Sequence, residues 1–328
     1  MNDNRLTAHA PNPAVMRRRR LLAATIAATC AITIGATTSD AGAGNATSPP
    51  VDRQVAISPT RKMHIACRGH GGPTVVLIAG GVNSGAIWSM PYDFAHPTPT
   101  VFPQVAKFTR VCAYDRPNTA SPAPNDGIAF GTSTSTSGSV TPANGVIDLH
   151  RLLRAAHVHG PYVLVAHSFG GLIARLYSST YPKEVAGLVL IDSPSELFFD
   201  RLTVGQQEMW VTASSGDAAF PGAESFNFPA TFAEMRAARK PPRVPTVLFT
   251  SDEPFDYHAA VSAGTLGPEF IAFGPQSFRA HVAAQRELAK QLGARLVLDT
   301  HSGHYIFVQH PKLVISAIRR VVDEARNR

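Results

Sequence analysis

The sequence predicts an α/β fold, a mostly parallel sheet with helices packed against its faces. Short apolar, β-branched runs recur along the chain, and amphipathic helical patterns alternate with them. A third observation locates the chemistry: one of the runs passes through a serine straight into a helical pattern.

The runs lie at residues 74–79, 110–114, 162–166, 187–191, 246–250 and 295–298. They are continuous rather than alternating, as strands buried on both faces of a parallel sheet should be. Between them, Val146, Ile147, Leu149, Leu152 and Leu153 form one apolar stripe, with Arg151 and Arg154 facing outward. Leu172, Ile173, Leu176 and Tyr177 form another, and residues 278–292 and 313–322 carry two more. One sheet therefore takes in the whole chain after the N-terminal segment, with right-handed crossovers.

Two stretches break this rhythm. Residues 117–143 are rich in Pro, Ser, Thr, Gly and Asn and read as a long mobile loop. Residues 193–243 hold Phe198, Phe199, Trp210, Phe220, Phe226, Phe228 and Phe232 without a strand pattern, which predicts a helical cap inserted between two strands.

The first 43 residues read as an export signal. Arg17, Arg18, Arg19 and Arg20 precede an uncharged apolar stretch over residues 21–36, and Ala41-Gly42-Ala43 offers a small-x-small cleavage site. Arg18-Arg19-Arg20-Leu21-Leu22 also has the look of a twin-arginine signal. The apolar stretch falls short of the ~20 residues that span a bilayer, so cleavage and export to the periplasm or outside are favoured over an N-terminal anchor. Cys30 follows Thr29, a poor context for lipidation.

Residues 44–50 form a flexible lead-in to a domain covering 44–328. Of the formal charge of +7, the first 43 residues supply +3, from Arg5 and Arg17 to Arg20 against Asp3 and Asp40. The remaining +4 is spread without a basic run, which excludes the usual signature of nucleic-acid binding. Outside the leader only Cys67 and Cys112 remain, an even pair that fits a disulfide in an oxidising compartment or two buried thiols. Histidines, cysteines and carboxylates show no metal-ligand spacing, and Gly69-His70-Gly71-Gly72-Pro73 precedes a strand rather than following one, so neither a metal nor a dinucleotide cofactor is expected.

The strongest local signal runs from Tyr162 to Ile173, where Ala166-His167-Ser168-Phe169-Gly170 joins strand to helix. Such a turn strains the serine backbone and requires small residues two before and two after it. Ala166 and Gly170 meet that requirement, and Gly171 lets the helix pack closely. A serine hydroxyl needs a base and oxyanion donors to act as a nucleophile. Among 13 histidines, His304 in Ser302-Gly303-His304-Tyr305, after the last strand, is the candidate base, with His301 as fallback. Ile78-Ala79-Gly80-Gly81-Val82 ends an early strand, so the N–H of Gly81 and that of Phe169, next to the serine, are the candidate oxyanion donors.

These segments resemble the α/β-hydrolase fold family over about residues 55–325: the strand and turn from Val75 to Trp88, the segment Cys112-Ala113-Tyr114-Asp115-Arg116-Pro117, the serine elbow and the histidine loop. The resemblance implies an eight-stranded sheet, a helical cap after strand six, and a hydrolytic Ser–acid–His triad. It also places Lys62–Arg68 antiparallel beside residues 110–116, so that a Cys67–Cys112 bridge becomes geometrically plausible. The family's acid usually follows the seventh strand in a Gly-x-x-Asp turn, but here that position reads Thr250-Ser251-Asp252-Glu253-Pro254-Phe255-Asp256. Some relatives place it after the sixth strand, where Asp192 stands. Asp192 is preferred, then Asp252, with Glu253 and Asp256 behind.

The expected activity is hydrolysis of a carboxylic ester, with a small-molecule substrate and an apolar pocket under the cap. Amide hydrolysis, acyl transfer or a non-catalytic binding role use the same parts. An aminopeptidase needs a cap carboxylate for the substrate amine, and Glu196, Asp200, Glu208, Asp217, Glu224 and Glu234 are available. A dehalogenase is disfavoured, because those enzymes carry Asp at the elbow.

Overall fold

The computed structural model describes residues 50–125, 127–214 and 220–328; the expected leader, Cys30 included, lies outside them. In chain order the strands are β1 (Val51–Ala56), β2 (Lys62–Arg68), β3 (Thr74–Ile78), β4 (Val111–Tyr114), β5 (Ala120–Ala123), β6 (Gly127–Phe130), β7 (Tyr162–His167), β8 (Val185–Ile191), β9 (Thr246–Phe249) and β10 (Arg295–Val297). All but β5 and β6 join one eight-stranded sheet of order β1-β2-β4-β3-β7-β8-β9-β10. Within that sheet only the pairs β1–β2 and β2–β4 are antiparallel.

The helices are α1 (Val101–Val105), α2 (Pro142–Ala155), α3 (Phe169–Thr180), α4 (Glu196–Phe199), α5 (Val204–Ser214), α6 (Phe228–Ala237), α7 (Tyr257–Ser262), α8 (Phe270–Leu292), α9 (Ile306–Gln309) and α10 (Pro311–Arg326). Strand periodicity divides the core in two. Leu164, Ala166, Leu188 and Leu190 point to the face covered by α2 and α3, where Leu149, Leu152, Leu172 and Ile173 are buried. Their neighbours Val163, Val165, Val189 and Ile191 point to the other face, against Val314, Ile318 and Val321 of α10. The apolar runs are continuous because both faces are covered. β10 departs from that expectation: it is the edge strand, with Arg295 exposed and Leu296 and Val297 half-buried.

α8 begins well before the expected residue 278, because Phe270 and Phe273 bury against Phe198 and extend its apolar face. It stops at Gly293, whose φ of 63° is the left-handed conformation that ends helices. Residues 117–143 also differ from expectation. In place of a mobile loop, β5 and β6 form an antiparallel hairpin, and the chain beyond it is tied to the sheet. Thr132 N donates to the Asp115 carboxylate, Ser133 Oγ to the Asp115 carbonyl and Thr134 N to the Lys62 carbonyl. Composition registers only that these residues are polar; partners on β2 and at Asp115, just after β4, order them.

Cys67 and Cys112 face each other in the β2–β4 register and are joined by a disulfide. Between β8 and β9 lie α4, α5 and α6, and Phe199, Trp210, Phe228 and Phe232 pack into one aromatic cluster there. Among the described residues no helix is long and apolar enough to cross a membrane.

Candidate active site

Ser168 sits at the single residue between β7 and α3, with φ 50° and ψ −125°. A non-glycine residue held there costs on the order of 1–3 kcal/mol, so its surroundings must over-determine it. They do so partly through the backbone, where Ser168 N donates to the Ile191 carbonyl and Gly171 N to the Ser168 carbonyl, each at 2.9 Å. Close packing adds to this. A Cβ on Gly170 would lie 2.5 Å from the Ala79 and Ile78 carbonyl oxygens, and one on Gly171 would strike the Ser193 side chain.

His304 lies on the loop that leads into α9. His167, the residue before Ser168, donates from Nε2 to the His304 carbonyl at 3.0 Å, and the two rings lie 4.5 Å apart. Burial, followed by the proximity of His304, pulls the His167 pKa well below the usual histidine value, so this tie is made by a neutral imidazole. His304 Nδ1 meets the Asp192 carboxylate at 2.7 Å.

Asp192 ends β8 with φ 45° and is nearly sealed from solvent. Oδ1 accepts from Ser251 N at 2.8 Å, Ser251 Oγ at 3.0 Å and His281 Nε2 at 2.9 Å; Oδ2 faces His304. Burial pushes the carboxyl upward, but the charge and hydrogen bonds of His281 and His304 outweigh it and hold the group well below the usual carboxylate range. Asp252 is placed differently. Its carboxylate accepts from Thr300 Oγ1, His301 N and Ser302 N at 2.9–3.0 Å, which braces the start of the histidine loop. His301 is exposed and faces Asp299 at 3.1 Å, Glu253 is exposed, and Asp256 caps α7 through Ala259 N. Among the described residues, Asp252, Asp299 and His301 are the one trio whose potential ligand atoms lie within 4.8 Å, and Asp252 already accepts three donors.

The Gly80-Gly81 turn lies against the elbow. A Cβ on Gly80 would come within 2.6 Å of His167 Nδ1, and one on Gly81 would meet the Phe226 ring at 2.8 Å. Phe226 also packs on Phe169 at 4.5 Å, so one ring from the insertion lies across both candidate oxyanion residues. Arg116, buried after β4, donates to the Ala79 and Gly80 carbonyls at 2.7 and 2.6 Å and forms a bidentate pair with Glu224. Glu224 in turn accepts from Val82 N at 2.9 Å.

The sequence pattern of the alpha/beta hydrolase family matches residues 75–317, from β3 into α10. The chain belongs to that family. An uncharacterised protein of Schizosaccharomyces pombe, C23C11.06c, is 29% identical over 155 residues, 41% of this chain. The match spans about a quarter, 26%, of that curated relative's length. Among solved structures, Est816, described as an N-acyl homoserine lactone degrading enzyme, superposes with a TM-score of 0.53 at 16% identity, over 82% of this chain and all of its own. A proline iminopeptidase-related protein from Thermus thermophilus gives 0.51 at 14% identity, over 84% of this chain and all of its own. At those identities the likeness is one of fold.

Within this alpha/beta hydrolase, Gly81 follows β3, Ser168 and Phe169 follow β7 and Asp192 follows β8, and the loop after β10 brings His304 onto Asp192. Asp252, after β9, and His301, on the histidine loop after β10, face each other beside this group. Two contributors escaped sequence reading. His281 and Gln285 are polar residues on the buried stripe of α8, between Ser277 and Leu288, and that break in an apolar face is the signal that points to them. Gln285 Nε2 anchors this stretch by donating to the Ser193 carbonyl. Glu224 was one of six cap carboxylates, and nothing local distinguished it.

Proposed function

We propose that the chain is a serine hydrolase cleaving carboxylic esters through an acyl-enzyme on Ser168. The observation that carries this reading is the 2.7 Å contact between His304 Nδ1 and Asp192, on a loop tied to the residue before a strained serine. With Nδ1 committed to Asp192, Nε2 is the nitrogen left to accept the Ser168 proton. The Ser168 oxygen attacks the ester carbonyl, and the Gly81 and Phe169 N–H groups receive the oxyanion. Protonated His304 gives its proton to the departing alkoxide, leaving the acyl group on Ser168. Water, deprotonated by His304, then releases the acid and restores the serine.

An ester is favoured over a peptide with a free amine. Glu196 pairs with Arg175, Asp200 with Arg236 and Glu224 with Arg116, and Glu234 accepts from Ala143 N. Those four carboxylates are poorly placed to hold a substrate ammonium; of the other two, Glu208 is exposed on α5 and Asp217 lies outside the described residues. The aromatic cluster of the insertion, with Phe226 over the elbow, suits an apolar acyl group. The disulfide supports export to an oxidising compartment by way of the N-terminal signal.

The test combines fluorophosphonate labelling with a panel of p-nitrophenyl esters of graded chain length and aminoacyl-nitroanilides. Labelling and ester turnover should both vanish in Ser168→Ala, and esters should outpace anilides. A wild-type chain that does not label, with turnover unchanged in Ser168→Ala, ends the proposal.

A further inference from the structure

We infer that Arg116 and Glu224 are a positioning pair for the oxyanion hole, so that the cap insertion supplies part of the catalytic geometry. The inference rests on the proposed Ser168 mechanism with Gly81 as an oxyanion donor. It starts from a property of the turn itself. Gly80 and Gly81 leave the backbone free of side chains where His167 and Phe226 approach, and glycine also leaves it with the widest choice of conformation. The turn closes on itself through Asn83 N, which donates to the Gly80 carbonyl at 3.2 Å, and further holds on its donor N–H groups come from outside it.

Arg116 and Glu224 hold three consecutive peptide groups. Arg116 Nη1 donates to the Ala79 carbonyl, in the same peptide plane as the Gly80 N–H. Nη2 donates to the Gly80 carbonyl, in the plane of the Gly81 N–H. Glu224 Oε2 accepts from Val82 N, which belongs to the plane of the Gly81 carbonyl, and Asn83 Nδ2 donates to that carbonyl at 2.8 Å. A cation bonded to a carbonyl fixes the rotation of its peptide plane and so the direction of its N–H. It also polarises the peptide, making that N–H the stronger donor.

Arg116 is 3% exposed and Glu224 not at all. Buried ion pairs add little net stability over apolar packing, because desolvation offsets their attraction. This pair is better explained by the geometry it imposes. Glu224 is itself held in place: its N–H donates to the Asn118 carbonyl, and the backbone after it pairs with Val140. The Phe226 ring beside it covers Gly81 and Phe169.

The test uses the full chain carrying Glu224→Gln, which removes the charge and sets an amide among the arginine's donors. kcat and KM for a p-nitrophenyl ester are measured with the inhibition constant of an alkyl boronic acid, whose tetrahedral serine adduct places an oxygen in the hole. Loss of a single oxyanion donor costs about 10²–10³-fold in kcat, so a mis-set donor should cost roughly 10–10²-fold, with KM little changed and boronate affinity falling in step. A folded variant with wild-type kcat and boronate affinity overturns the assignment, as does a rise in KM alone. Should Glu224→Gln not fold, Glu224→Asp, which keeps the charge but withdraws it by one methylene, carries the same comparison. If neither folds, the pair is a folding element and the assignment falls. Ser168→Ala, assayed alongside, separates the two ideas. Residual turnover there defeats the serine mechanism, whereas an inactive Ser168→Ala with a fully active Glu224→Gln defeats only the positioning role.

Discussion

The ends of β8 and β9 lie side by side, each carrying an aspartate, and the two carboxylates have opposite surroundings. Asp192 is enclosed and receives side-chain donors from three separate elements, while Asp252 is partly exposed and receives mainly the backbone of the loop it faces. β9 nevertheless serves the site. Its end supplies the Ser251 N–H and hydroxyl to Asp192, so the strand that carries Asp252 also supports the carboxylate of its neighbour. A strand end gives a carboxylate its address, and the donors that converge on it give it a role.

The largest effect should come from exchanging charge for amide at the two positions. Asp192→Asn should lower kcat for ester hydrolysis by ~10⁴, the scale known for a triad acid, while Asp252→Asn leaves kcat nearly unchanged. The reverse ranking would break the comparison. Next comes His281→Leu, which strips a donor from the Asp192 carboxylate inside the protein. Hydrogen bonds to charged groups are worth about 1.5–3 kcal/mol, so urea unfolding should show a loss of that size together with reduced turnover. Asp252→Ala should cost less, about 1 kcal/mol in the same measurement, because its partly exposed loop can draw on water.

The smallest effect is a matter of pH. Both carboxyls are lowered in the folded protein: Asp192 through His281 and His304 against burial, Asp252 through Ser302 N, His301 N and Thr300 against a smaller burial penalty. A depressed carboxyl contributes stability above its unfolded pKa of about 3.9 and loses it as pH falls through the folded value. Unfolding followed from pH 6 to pH 2 should therefore lose stability on the acid side. Asp192→Asn should flatten that limb clearly, and Asp252→Asn only slightly, since solvent screens the exposed group. Equal flattening in both would erase the distinction between the two sites.

Much of this was legible beforehand, for identifiable reasons. β3, β4, β7, β8, β9 and β10, the elbow and the late histidine follow from local patterns, namely continuous apolar runs, small residues around Ser168, and a Ser-Gly-His loop after the last strand; the order of the strands in the sheet does not. The choice between Asp192 and Asp252 was open because both follow a strand and both adjoin hydroxyl residues. His281, which helps to distinguish them, lies 89 residues from Asp192, and Glu224 lies 108 from Arg116. Pairings at that distance leave no periodicity to read. Residues 117–143 differ for the complementary reason, since their polar side chains and backbone find partners on segments far away in the chain, which composition does not show.

The buried Arg116–Glu224 pair bears on how caps are exchanged among enzymes of this fold. Replacing residues 193–243 with a cap from a relative would strand a guanidinium in the interior, bonded to two carbonyls and stripped of its counter-ion, a state costing about 3–5 kcal/mol when a buried pair is broken. Recombination, natural or engineered, must therefore move the arginine after β4 and the acid in the insertion together. For inheritance and for chimera design, two segments more than a hundred residues apart behave as one transferable part.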